Sequence, residues 1–197
     1  KKESFYLGVA SKPDFILADS GSDDIGPGPL GMDTSTSPLD WQRHDLELML
    51  LASRTQGVPM IIGSSGDTGT NSRVDLYVNI IKRLARKHNL APFKLIYFYS
   101  EVKKDALREK MDQGLTIEGM NGRKSLTPED LDHTDKIVAV SGVHPFLHAL
   151  EMGADVIIGG RSNDVAIFAS AAIYEGFPEN LAYYLGNVLE NASSCAE

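Results

Sequence analysis

One pattern recurs five times along the chain: a short apolar run, then a loop rich in Gly, Ser and Asp, then a stretch with helical spacing. The apolar runs are residues 14–18, 58–62, 93–99, 136–140 and 155–158. They have strand length, and three of them are apolar on both alternations, as strands buried on both faces are. Strands that alternate with helices predict an α/β domain of three layers around a mostly parallel sheet of about five strands. No stretch repeats at a period of 20 to 50 residues and none is of low complexity, so residues 1–197 are expected to form a single domain.

The helical stretches carry their own punctuation. Ser37-Pro38-Leu39-Asp40 reads as an N-cap, a first-turn proline and an acid at the positive end of the dipole. Leu46, Met49 and Leu50 then keep the spacing of a buried stripe, and Gly57 ends it. Val74, Val78, Ile81 and Leu84 mark a second amphipathic helix, a third is expected to end near Gly114, and 165–174 and 178–191 close the chain. Residues 19–37 read as a long loop and 115–135 as a surface excursion, in which Thr127-Pro128-Glu129-Asp130 opens a short helix. Trp41, Tyr97 and Tyr99 are expected in the core, and His44, His88 and His133 are expected to face solvent.

Right-handed crossovers return every strand to the same edge, so the loops at 19–31, 63–71, 100–104, 141–144 and 159–164 are expected to gather at the carboxyl ends of the strands. The loop from Gly63 through Ser64, Ser65 and Gly66 leads into a helix, where backbone N–H groups and the dipole suit an anion; a strand-to-helix turn needs the same glycines without any ligand. Arg161, followed by Ser162 and Asp164, has the planar fork that grips a carboxylate, or else pairs with a nearby acid. Ser20, Gly21 and Ser22 stand beside Asp19 and Asp24, the carboxyls expected to move protons together with His144. Asp19, Asp23, Asp24, Asp67, Glu101 and Asp164 are hard donors of the kind that hold a divalent metal, and equally the usual residues of turns and caps. His148 lies four residues after His144, but the Glu of the zinc-protease motif does not follow the first His. Ser64 and Ser65 lack the glycine-flanked elbow of a nucleophilic serine.

Nineteen Lys and Arg against 27 Asp and Glu leave a net charge of −8, and no basic run occurs, which argues against a phosphate backbone as partner. A single cysteine, Cys195, fits a reducing cytoplasm. No apolar run reaches the ~20 residues of a membrane span. The first residue is Lys, so something upstream is expected to have been removed.

The loops together are familiar. Asp19-Ser20-Gly21-Ser22-Asp23-Asp24-Ile25-Gly26-Pro27-Gly28-Pro29 resembles the Asp-Ala-Gly-Ser-Thr-Asp-Pro-Gly-Pro signature of the acyclic terpene utilisation protein A family. The resemblance continues in order at Gly63-Ser64-Ser65-Gly66, at Gly159-Gly160-Arg161-Ser162-Asn163-Asp164, at Gly176-Phe177-Pro178 and at Ser193-Ser194-Cys195-Ala196. The chain departs from the family at Asn163, where Cys is frequent, at Asp67-Thr68, where small residues are usual, and at Asn191, where Glu-Cys is common. The resemblance implies that the chain is the N-terminal part of a longer protein, with a role in breaking down branched acids and acyclic terpenoids, as carboxylates or as acyl-coenzyme A thioesters. Two functions are compatible with it. One is a lyase or hydro-lyase in which residues 63–69 cradle an anion and Arg161 clamps a carboxylate; the other is a non-catalytic ligand-binding or scaffold subunit, self-associated or with a companion.

Overall fold

The computed structural model describes residues 2–21 and 26–195. Four strands form one parallel sheet: β1 (Ile16–Asp19), β2 (Met60–Gly63), β3 (Leu95–Phe98) and β4 (Val156–Gly159), in the order β1-β2-β4-β3. The register runs Ile16 beside Met60, Met60 beside Val156 and Val156 beside Leu95. The helices are α1 (Lys2–Ala10), α2 (Pro27–Met32), α3 (Leu39–Gln56), α4 (Asn71–Lys87), α5 (Lys104–Asp112), α6 (Pro128–His133), α7 (His144–Glu151), α8 (Asp164–Tyr174) and α9 (Glu179–Asn191).

Strand side chains alternate between faces, so β2 and β4 feed two cores. Met60, Ile62, Val156 and Ile158 pack with Leu46, Leu50, Val74, Val78 and Ile81 of α3 and α4. Ile61 and Ile157 pack on the other face with Phe146, Leu150 and Ile167 of α7 and α8. All four residues of each central strand are buried, and each large aliphatic side chain taken out of water contributes about 1.5–3 kcal/mol. The expected stripe of α4 is fully buried. Gly57 ends α3 in the left-handed conformation at φ 71°, and Thr127 and Asp130 cap α6 reciprocally.

Four expectations are corrected. Residues 136–140 do not add a fifth strand to the sheet. They run antiparallel to the chain leaving β3, with the Ala139 N–H donating to Ser100 O and the Val102 N–H to Ile137 O. Val140 is 56% exposed, so this strip lacks the two-sided burial that a parallel strand requires. Residues 19–37 are not all loop, because Pro27, with φ preset for a helix, opens α2. Trp41, Tyr97 and Tyr99 lie at the surface instead of in the core. Tyr97 and Tyr99 sit at the β3 edge of the sheet, packed edge to face on one another, and Tyr99 donates to Asp75. His88 is also not free in solvent, since it pairs with Glu47 beside Lys87.

Candidate functional site

Helices α3 and α4 carry the chain rightward from β1 and β2 on one face, while the chain leaving β4 returns over the other face as α8, which packs on β1 and β2. The direction of winding therefore reverses between β2 and β4, the place where parallel α/β sheets open a crevice. Here the loops close that crevice on themselves. The N–H groups of Ser64 and Ser65 donate to Gly160 O and Gly159 O, that of Asp67 to Ser20 O, that of Gly69 to Ser65 O, and that of Arg161 to Gly69 O. Two contacts are so close that only glycine fits: a Cβ on Gly21 would lie 2.1 Å from Asp67 O, and one on Gly69, at φ 61°, 2.1 Å from Arg161 N.

The backbone donors of residues 64, 65, 67 and 69 are thus turned inward, and the anion at the start of α4 is supplied by the protein, the Asn71 N–H donating to Glu101 Oε1 at 2.8 Å. Arg161 is buried as well. Its Nη1 donates to Asp67 O at 3.2 Å and Gly21 O at 3.4 Å, and its Nη2 lies 3.6 Å from Asp164. Ser64 Oγ donates to Ser162 O, Ser65 Oγ to Gly159 O, and Ser162 Oγ to Gly160 O. Asn163 caps α8 by accepting from the Ala166 N–H.

What remains open lies on the α3 side of the β1 end. A cleft of about 810 Å³ falls within the ~300–1,000 Å³ range of small-molecule sites. Ala18, Trp41, Leu46, Leu48, Met49 and Ile62 give it apolar walls. Asp19, Ser20, Gly21, Asp67 and Tyr77 line it from the strand-end loops and α4, while Thr36, Ser37 and Gln42 line it from the segment that enters α3. That segment is strapped down by Asp67, which accepts from Ser35 Oγ, Thr36 N and Thr36 Oγ1. Asp33, just before it, accepts from Thr70 and Ser72 and faces Arg73 and Lys136. Burial works against the Asp33 charge, but the Ser72 and Thr70 hydrogen bonds and the two cations hold its pKa below the usual carboxylate range.

Asp19 is the cleft carboxyl whose proton affinity the fold raises. Burial and then the charge of Asp164 push its pKa up to about 7, against the opposing pull of the Gly21 N–H, Ser64 and Arg161. Beside it Ser20 Oγ and Tyr77 Oη are 2.6 Å apart, and burial raises the Tyr77 phenol, so that it keeps its proton. Of the anticipated site residues the fold gathers Asp19, Ser20 and Gly21 at the cleft, with Ser64, Arg161 and Asp164 behind them. His144 opens α7 on the opposite face and is exposed. Ser22, Asp23 and Asp24 lie outside the described residues. Gln42, His44, Trp41 and Tyr77 join the cleft without having been singled out for it; the sequence signal of the first three is the polar, aromatic start of the helix that follows the first strand, and Tyr77 comes from within α4.

Among the described residues no group of three or more His, Cys, Asp or Glu is placed to hold a metal ion, and no helix is long and apolar enough to cross a membrane. Compared with known proteins, the chain matches a family model, that of the acyclic terpene utilisation family protein AtuA, over residues 31–186. No curated protein and no solved structure matches it.

Proposed function

The chain belongs to the acyclic terpene utilisation family AtuA, and we propose from this footing that it is a catabolic enzyme acting on a branched carboxylate or its acyl-coenzyme A thioester, as a lyase or hydro-lyase. Membership of the family points to acyclic terpene utilisation; the reaction and substrate are our reading. The observation that carries it is the cleft itself, whose apolar walls end at a strand-end carboxyl, Asp19. A branched hydrocarbon chain fits such walls, and proton transfer is most efficient from a group that titrates near the working pH, as Asp19 does at about 7. In the elimination direction one oxygen of the Asp19 carboxylic acid protonates a departing hydroxyl as its C–O bond breaks. The other oxygen takes the proton from the neighbouring carbon as the double bond forms, so water leaves and Asp19 ends as it began.

Trp41 is the chain's single tryptophan and lines the cleft, so its fluorescence reports occupancy. Branched acyl thioesters are expected to change that emission and to be converted, and Asp19→Asn is expected to keep the binding signal while turnover falls by about 10²–10⁴. Turnover unchanged in Asp19→Asn would overturn the assignment. A second reading, a scaffold or ligand-binding subunit, draws on the exposed Phe177, Leu181, Tyr184 and Leu185 along and before α9. It predicts binding without conversion by wild-type protein, and partner capture lost when Leu181 and Leu185 are changed to Ser.

A further inference from the structure

We infer that the polar end of the cleft receives a hydroxyl group of an apolar chain and excludes a free carboxylate, which leaves any acid or thioester end of the same molecule toward the mouth. The inference rests on the proposed cleft and names what its inner end reads. Three observations carry it.

The first is that no cation faces that end among the described residues. The N–H groups of residues 64, 65, 67 and 69 donate within the protein, and the Arg161 guanidinium spans the carbonyls of Gly21 and Asp67 from behind the cleft. The second is the charge that does face the cleft. Asp19 and Asp67 line it from the strand-end loops, while Asp45, exposed on α3, lies at the rim. The cationic or titratable nitrogen groups lining it are Lys2 and His44, both on exposed residues and therefore at the rim. A substrate carboxylate beside Asp19 and Asp67 would add a like charge in a partly desolvated space, where like charges repel more strongly than in bulk water.

The third is Gln42, which is 8% exposed and lines the cleft. Its Nε2 donates to Ser35 Oγ at 2.9 Å and Ser37 O at 2.6 Å, which fixes the orientation of the amide. Its Oε1 is buried and accepts from no described residue. A hydroxyl brings a donor as well as an acceptor, whereas a carboxylate or a thioester carbonyl brings no donor. Ser20 and Tyr77 share one hydrogen bond in which either can donate, so one hydroxyl hydrogen remains for the ligand oxygen beside Asp19, whose carboxylate can accept from the ligand O–H.

The test uses three ligands that share one branched chain: isohexanol, isohexanoate and the isohexanoyl thioester of pantetheine. Each is titrated against the Trp41 emission of the full chain at about pH 8, with wild-type protein and Asp19→Asn. Isohexanol is expected to bind wild type roughly tenfold or more tightly than isohexanoate, and Asp19→Asn is expected to narrow that ratio by strengthening isohexanoate. Isohexanoate binding as tightly as the alcohol would overturn the exclusion of carboxylates, and the thioester binding as tightly would overturn selection for a hydroxyl donor; both leave the cleft as a binding site. No response to any of the three would overturn the cleft reading itself, and this inference with it.

Discussion

Replacing Asp19 by Asn is expected to stabilise the protein in a way that depends on pH, and the dependence is what tests the site. Asp19 sits at the end of β1 with Asp164 acting on it, and burial, followed by that neighbouring charge, lifts its pKa from 3.8 to about 7. The folded state therefore holds a proton that the unfolded chain has released. Below about pH 4 both states are protonated and wild type carries no penalty. Between there and pH 7 the unfolded state loses its proton first, so wild-type stability falls as pH rises, and above about pH 8 the loss is complete. At about 1.4 kcal/mol for each tenfold change the full rise is worth roughly 4 kcal/mol, and the access to solvent that Asp19 keeps reduces this to about 2–4 kcal/mol. Asparagine has the shape of the protonated acid and no charge to desolvate. Urea unfolding of both proteins from pH 4.5 to 8.5 should give curves within about 1 kcal/mol of each other at the acid end, diverging to an advantage of about 2–4 kcal/mol for Asp19→Asn at the alkaline end. A difference that is constant across the range would refute the account of Asp19 as a carboxyl held near neutrality.

Two substitutions test the loops behind the cleft. Arg161→Ala leaves Asp164 and the carbonyls of Gly21 and Asp67 without the guanidinium they share, and is expected to cost about 3–5 kcal/mol in urea unfolding; a loss under about 1 kcal/mol would mean that Arg161 is not part of the internal frame. Gly69→Ala combines a positive φ of 61° with a Cβ 2.1 Å from the Arg161 nitrogen. It should lower stability by at least about 2 kcal/mol and weaken the Trp41 response to ligand, whereas Gly28→Ala, which meets nothing within 4 Å, serves as the control expected to leave both unchanged.

Period and punctuation were enough to assign the α/β class, the parallel sheet and four of the strands, because burial on both faces forces an apolar run and a helix against a sheet forces an amphipathic stripe. They were also enough to place the loops that follow the sheet strands at one end, since strands that run parallel all finish at the same edge. Residues 136–140 carry the same local composition as the true strands, yet they pair antiparallel with the chain around Ser100 and Glu101; whether an edge is available to an apolar run is a property of the assembled sheet. Arg161 has the residue type of a ligand clamp, and only packing shows that its guanidinium is spent on Gly21 and Asp67. Asp19 could be picked from its place after the first strand, but not its affinity for a proton, which comes from burial and from Asp164, 145 positions away in the chain. Sequence thus determined which groups reach the strand ends. Tertiary structure decided which of them face the cleft and which face one another, because hydrogen-bond partners and the cost of desolvating a charge depend on neighbours in space, and the loops that supply those neighbours are distant along the chain.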